Sequence, residues 1–74
     1  MIQPYANVDG DSGVSAFEIA ATWIDVYFHG APKRYRYSHR SCGAAHCEQL
    51  KALAMAGNGL NSYIMRHVKY GYER

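Results

Sequence analysis

The sequence predicts an α+β domain in which a three-stranded antiparallel β-meander is followed by two short helices packed on one face. Two patterns lead to this prediction. Apolar and polar residues alternate in three runs before Arg40, and beyond it apolar residues recur at three- and four-residue spacing. The 74 residues make one domain, and a chain of this size buries only about 60% of its unfolded surface, so we expect a small core.

The N-terminal residues predict a flexible arm. Residues 1–13 contain Pro4, Asn7 and a run of Asp, Gly and Ser from position 9 onward, all of which favour turns. The run resembles the start of a calcium loop, but it lacks the further acidic ligands and the closing glutamate, which favours a simple turn. Residues 14–72 then form the single folded domain.

The first predicted strand covers residues 14–20. Val14, Phe17 and Ile19 are the apolar residues there, in an imperfect alternation that suits a strand better than a long helix. A single helix over residues 16–23 is the competing interpretation.

The next two predicted strands alternate more regularly. Trp23–Phe28 places Ile24, Val26 and Phe28 on one face of the second strand. Residues 29–32 supply a glycine and a proline, which fit a hairpin loop, and the third strand covers residues 33–38.

Helical spacing begins after Arg40. Ser41 is the predicted N-cap of the first helix, and Gly57 ends it as a C-terminal glycine does. Asn58 is the predicted N-cap of the second helix. The side chains expected to cover the sheet are Ala44, Cys47, Leu50 and Ala54 in the first helix, and Leu60, Ile64, His67 and Val68 in the second.

The most distinctive stretch is residues 33–40, which read Lys-Arg-Tyr-Arg-Tyr-Ser-His-Arg. On a strand, Tyr35 and Tyr37 share one face while Arg34 and Arg36 share the other. Two exclusive arrangements follow: a tyrosine platform that stacks bases, or an arginine face that contacts phosphates and is braced by buried tyrosines. We favour the second.

The two halves of the chain differ in charge. Residues 1–30 contain four carboxylates and neither lysine nor arginine, whereas residues 31–74 contain all eight Lys and Arg against Glu48 and Glu73. This local excess of cations predicts an acidic partner, which we take to be nucleic acid. The predicted contacts are Lys33, Arg34, Tyr35, Arg36, Tyr37, Arg40, Arg66 and Lys69, with Arg74 as a further candidate.

Neither a metal site nor a catalytic site is predicted. His39, Cys42, His46 and Cys47 are residue types that bind zinc, but on one helix start their side chains diverge. We expect a buried Cys47 and an exposed His46 instead. The chain has no P-loop, no Gly-x-Ser-x-Gly motif and no paired carboxylates on a helix. The prediction is a protein without enzymatic activity and without a cofactor.

Location is predicted from apolar runs and cysteines. No apolar run approaches the roughly 18 residues needed to span a bilayer, and the first residues lack a basic segment followed by an apolar one. Cys42 and Cys47 are expected to remain unpaired thiols, which indicates a reducing compartment. We therefore expect a soluble, unprocessed, cytoplasmic protein that does not bind membranes.

Three features follow one another along residues 14–72. Val-Tyr-Phe-His-Gly at residues 26–30 precedes Tyr35-x-Tyr37, an Ala-x-x-Gly step stands at residues 56–59, and the ending is rich in aromatic and basic residues. In these the chain resembles the KTSC domain, named from the C-terminus of certain lysyl-tRNA synthetases and also found alone in small bacterial or phage proteins. The resemblance implies an α+β fold. The family has no established function and RNA binding is suspected for it, so the resemblance favours RNA over DNA without implying a mechanism. A Val-Pro pair commonly introduces the first helix of that family, and residues 40–43 differ from it.

The alternative function belongs to another class. A compact surface rich in tyrosine and arginine also suits a protein interface, since Tyr, Trp and Arg dominate binding hot spots. The chain would then be a small protein-interaction module, of the kind that phages encode to bind a host protein. Self-association through an edge strand of the sheet is a third interpretation.

Overall fold

The computed structural model describes residues 1–8 and 13–73, and its architecture is α+β. One antiparallel sheet contains four strands in chain order: β1 (Gln3–Pro4), β2 (Val14–Ile19), β3 (Trp23–Phe28) and β4 (Tyr35–Ser38). Three helices follow: α1 (His39–Cys42), α2 (Ala44–Ala56) and α3 (Leu60–His67). The general class agrees with the sequence prediction, which misses one strand and one helix.

The additional strand comes from the N-terminal segment, where the sequence predicts a flexible arm. β1 pairs with β2, and Tyr5 buries its ring while its hydroxyl oxygen accepts a hydrogen bond from the Leu60 N–H at 3.3 Å. The Val8 N–H donates to the Gly57 carbonyl at 2.7 Å. The buried and hydrogen-bonded Tyr5 side chain thus anchors the N-terminal segment to the rest of the domain. The run considered as a calcium loop, residues 9–12, lies outside the described residues.

A bulge explains the imperfect alternation of β2. Its register against β3 shifts between Val14 and Ala16, so Ser15 is an extra residue in the strand. Because of this insertion, Val14 and Phe17 point into the core although they are three positions apart. The Ser15 hydroxyl donates a hydrogen bond to the Tyr27 carbonyl at 3.1 Å, which fixes the bulge. The competing helix does not form.

β3 has the predicted bounds, and its register with β4 decides which face of β4 is buried. β4 begins at Tyr35 rather than at Lys33, and Tyr37 lies opposite Ile24. Ile24 is fully buried and Tyr37 is 1% exposed, so the tyrosine face packs beneath the helices. The arginines of this segment therefore lie on the outer face of the sheet.

The helical region begins at Ser38 and not at Ser41. Each of these two serines accepts a hydrogen bond from the backbone N–H of the other, at 3.0 and 2.9 Å, which forms a capping box. Ser41 is thus inside α1 and is not the N-cap that the sequence predicts. Gly43, with φ of 93°, separates α1 from α2 because few other residues adopt that conformation.

α2 ends at Gly57 as predicted, with φ of 80° and an N–H that donates to the Leu53 carbonyl at 3.0 Å. Gly59 precedes α3, so Asn58 is not its N-cap. Along α3, the expected stripe is buried except at His67, which is exposed. Its ring stacks at the surface against a histidine of α2.

The C-terminal segment runs beside the edge strand β4. The Glu73 N–H donates to the Arg36 carbonyl at 2.6 Å. Tyr72 packs edge-on against Tyr35 and Tyr37, with ring centroids 4.9 and 6.2 Å apart. The chain end therefore forms a wall beside β4 and α3.

The core lies between the inner face of the sheet and the helices α2 and α3. Its buried apolar residues are Tyr5, Val14, Phe17, Ile24, Val26, Tyr37, Cys47, Leu50, Ala54, Leu60, Ile64 and Val68. Among the described residues, no helix combines the length and the apolar character that crossing a membrane requires.

Candidate functional site

An open cavity of about 420 Å³ lies between β4, α3 and the C-terminal segment. Its volume is typical of small-ligand sites, which range from about 300 to 1,000 Å³. Most of its wall is aromatic. The lining residues are Phe28, Tyr35, Tyr37, Tyr70 and Tyr72, together with Ala31, Asn61, Met65 and Lys69. We call this site the aromatic cavity.

The rings of the aromatic cavity contact one another edge-to-face. Phe28 and Tyr35 have centroids 5.4 Å apart with planes at 83°, and Tyr35 and Tyr72 are 4.9 Å apart at 88°. Pairs in this geometry gain about 0.5 to 1.5 kcal/mol beyond the area they bury. The wall is therefore held in place before any ligand enters. Burial raises the pKa of the Tyr37 phenol well above its usual value, so this side chain is neutral at physiological pH.

The mouth of the aromatic cavity is more exposed and carries its polar groups. Tyr70 is 68% exposed and Met65 is 47% exposed. The Lys69 ammonium lies 5.6 Å from the centroid of the Tyr70 ring, and Asn61 adds an amide that donates and accepts hydrogen bonds. Such a site suits a planar ligand that carries a negative charge at one end.

The structure brings three of the predicted contact residues together in this cavity: Tyr35, Tyr37 and Lys69. Lys33, Arg40 and Arg66 are exposed, and they form no ion pair with any residue in the described ranges. They stand before β4, on α1 and on α3 respectively. The further candidate Arg74 lies outside the described residues.

The remaining two predicted contacts, Arg34 and Arg36, lie on the outer sheet face and bind Asp25. Arg36 donates two hydrogen bonds to this carboxylate, from Nε at 2.7 Å and from Nη2 at 3.0 Å. Arg34 Nε is 3.1 Å from Oδ2 of the same group. The Arg36 guanidinium also lies 3.7 Å from the centroid of the Trp23 ring. The hydrogen bond to Asp25 raises the pKa of Arg36. Both guanidinium groups are paired with Asp25, and Arg34 remains half exposed.

Of the four residues considered as zinc ligands, only His39 and Cys47 bring ligand atoms close together within the described part of the chain. His46 is partly buried, not exposed as expected, and its Nδ1 is 2.7 Å from the Tyr63 hydroxyl. Cys47 is buried, as predicted, and its thiol donates towards the Tyr37 carbonyl at 3.5 Å. Both cysteines are free thiols, and burial raises the pKa of Cys42 and of Cys47.

A different trio brings potential ligand atoms within 4.8 Å of one another: His39, Cys47 and Glu48. The Glu48 carboxylate is already shared by Lys51 Nζ at 2.7 Å and by His39 Nε2 at 2.6 Å. The hydrogen bond from Lys51, and then that from His39, lowers the pKa of Glu48. A cation would have to displace the ammonium group and ionise a buried thiol. The arrangement is accounted for by an ion-pair network at the helix surface.

Sequence reasoning missed the residues that build most of the aromatic cavity. Tyr70 and Tyr72 belong to the ending rich in aromatic and basic residues, for which the sequence predicts no helix or strand, and Phe28 is predicted only on one face of the second strand. Asn61 and Met65 lie on α3 without a distinctive pattern. The available signal was the period-two spacing of Tyr70 and Tyr72, which repeats the Tyr-x-Tyr pattern of β4.

Comparison with protein-family models, with curated proteins and with solved structures gives no match to this chain. We therefore describe the class of this protein from its fold and its site alone. The protein is a small α+β domain in which an open, largely aromatic cavity lies between the edge strand of an antiparallel sheet and the last helix.

Proposed function

We propose that this domain binds single-stranded nucleic acid, RNA in preference to DNA, and that it does so without a catalytic step. A base enters the aromatic cavity and the adjoining phosphate lies against Lys69. The observation that carries the proposal is the cavity itself, which combines five aromatic side chains with one ammonium group at its mouth. Aromatic faces stack any base, and cations bind the backbone of a single strand.

The energetics favour a moderate affinity that depends on salt. A stacked base contributes about 1 to 3 kcal/mol. Lys33 and Arg40 are exposed cations near the two ends of β4, and with Lys69 they account for three phosphate contacts. Three such contacts on a single strand give a slope of log affinity against log salt of about −2. Arg34 and Arg36 are not part of the proposed surface because Asp25 binds them.

Two features support RNA as the ligand. The Asn61 amide and the tyrosine hydroxyls of the cavity both donate and accept hydrogen bonds, as does the ribose 2′-hydroxyl that distinguishes RNA. The resemblance of the sequence to the KTSC domain favours RNA as well. The two free thiols are compatible with a reducing compartment, and we propose a cytoplasmic location.

The test is a titration of the protein into labelled single-stranded RNA, and into DNA of the same sequence, at several salt concentrations. Fluorescence anisotropy should show tighter binding of RNA and a slope of about −2. Tyr70→Ala should weaken binding at least about tenfold because it removes a stacking surface at an exposed position. Tyr27→Ala, on the outer face of β3, is the matched control and should bind normally. Absent or salt-independent binding contradicts the proposal.

A protein-interaction module is the second candidate function, and the exposure of Met65 and Tyr70 favours it. Methionine and tyrosine are enriched in protein interfaces, and these two side chains flank one cavity. A pull-down from nuclease-treated lysate separates the two functions. A stoichiometric protein that is retained by the native domain and lost with Tyr70→Ala supports this second candidate and removes the need for nucleic acid.

A further inference from the structure

The aromatic cavity is not isolated on the surface of α3. A second depression, also of about 420 Å³, shares Met65, Lys69 and Tyr70 with it. A third, of about 230 Å³, shares Arg66 and His67 with the second. Because neighbouring depressions have lining residues in common, they lie side by side around α3, with the shared side chains between them. We call this row of three depressions the extended groove.

The far end of the extended groove has a second group of rings. Tyr63 and His67 have centroids 4.5 Å apart with planes inclined at 42°. His46, on α2, lies 5.8 Å from each of these rings, and its Nδ1 is 2.7 Å from the Tyr63 hydroxyl. This hydrogen bond fixes the orientation of the cluster. Since His67 is exposed, the cluster offers a ring surface to a ligand in the groove.

A cation stands between the two groups of rings. Arg66 lines both the second and the third depression, is exposed, and forms no ion pair within residues 1–8 and 13–73. Lys69 is the cation at the other end of the second depression. The order along the groove is therefore aromatic cavity, Lys69, Arg66 and then the ring cluster, which places two charges for phosphate between two surfaces for bases.

Two base surfaces with cations between them match the covalent order of a nucleic acid strand, in which each base is joined to the next through a phosphate. A free mononucleotide would use only the aromatic cavity. α3 is about 10 to 12 Å across with its side chains, so a ligand that reaches both of its sides needs more than one nucleotide.

From this arrangement we infer that the ligand is a single strand of at least two nucleotides that follows the extended groove. One base occupies the aromatic cavity, the phosphate that follows it lies against Lys69 and Arg66, and a second base stacks on Tyr63 and His67. The inference rests on the proposed nucleic-acid function. It adds the minimum length of the ligand and the path of the strand around α3.

The experiment compares uridine monophosphate with oligouridylates of two and four nucleotides, by isothermal titration calorimetry with the full chain. For the native protein, the tetranucleotide should bind at least about tenfold more tightly than the mononucleotide because one more base stacks. Arg66→Gln and His67→Ala should each reduce this ratio, and Arg66→Gln should also make the salt slope for the tetranucleotide less steep by about 0.7. Both positions are exposed, so folding should be retained.

Arg34→Gln is the matched control because it removes the same charge from the opposite face of the sheet, and it should keep the full ratio. If the mononucleotide binds the native protein and added nucleotides bring no gain, the extended groove is not used, although the proposed function stands. The same conclusion follows if Arg34→Gln reduces the ratio as much as Arg66→Gln. If neither mononucleotide nor oligonucleotide binds, both proposals are overturned.

Discussion

Arg36 and Asp25 lie opposite each other on β4 and β3 and are joined by two hydrogen bonds of 2.7 and 3.0 Å. The Asp25 side chain is only 2% exposed, so the hydrogen bonds from Arg36 replace those that water would make. Arg36 is covered in turn by the ring of Trp23. The pair joins the two strands on their outer face. It also occupies Arg36, a cation that the sequence predicts as a phosphate contact.

Arg36→Met should lower the free energy of unfolding by about 2 kcal/mol, because it leaves a buried carboxylate with one remaining partner, Arg34. Arg34→Met should cost less than about 1 kcal/mol, since that side chain is half exposed. Urea denaturation followed by the fluorescence of Trp23 measures both values, and this is the only tryptophan in the chain. Equal losses for the two variants would show that Arg36 is not the principal partner of Asp25.

A substitution at Gly57 tests whether the N-terminal segment packs against the end of α2. Its φ is 80°, and an added Cβ would lie 2.6 Å from the Cβ of Ala6. Gly57→Ala should therefore cost about 2 to 4 kcal/mol, the sum of a strained backbone and a clash. Gly30→Ala is the control because its φ is 78° but no atom lies within 4 Å of the added Cβ, so it should cost only about 1 kcal/mol. A similar cost at both positions in thermal unfolding would mean that Ala6 does not pack there.

The buried phenol of Tyr37 predicts how stability depends on alkaline pH. Burial raises the pKa of Tyr37, so its neutral form is favoured in the folded protein. The resulting stabilisation is complete below the unfolded pKa of about 10 and is lost as the pH rises above that value. Tyr37→Phe, which cannot ionise, should lose less stability than the native protein between about pH 10 and pH 12. Parallel losses in chemical denaturation across this range would contradict the assignment.

Local pattern was sufficient for the parts of this fold that depend on neighbouring residues. β3 alternates more regularly than β2 and has its predicted bounds, and Gly57 ends α2 because a left-handed residue is needed there. β1 has two residues, too few to show a period. The bulge at Ser15 explains the irregular alternation of apolar and polar residues in β2. The sequence alone does not reveal an inserted residue, because the bulge is defined only by the register with the partner strand. The capping box placed one helix start three residues earlier than predicted, at Ser38.

The candidate site was harder to predict because it depends on long-range register. Whether Arg36 is available to a phosphate is decided by the residue opposite it, and only the pairing of β3 with β4 places Asp25 there. Tyr35, Tyr37 and Lys69 are among the contacts that the sequence predicts, and the structure places these three in one cavity wall. The cavity around them exists only because the C-terminal segment runs beside β4, and period-two spacing does not predict that path.

Tyr70 and Tyr72 are two residues apart in the cavity wall and should have separable roles. Tyr72 packs against Tyr35 and Tyr37 and is partly buried, so Tyr72→Ala should lower the free energy of unfolding by about 2 kcal/mol and weaken RNA binding as well. Tyr70 is 68% exposed, so Tyr70→Ala should change stability by less than about 0.5 kcal/mol while binding falls at least about tenfold.

Phenylalanine variants at these positions complete the test, because they keep the ring and remove the hydroxyl. Tyr72→Phe should restore both stability and binding if its role is to pack the wall. Tyr70→Phe should restore binding if its ring stacks a base, since stacking needs only the aromatic face. Urea denaturation and RNA titration on the same four proteins give the two readouts. If Tyr70→Ala unfolds the domain as readily as Tyr72→Ala, then Tyr70 is a structural part of the wall, and the loss of binding on its removal says nothing about contact with a base.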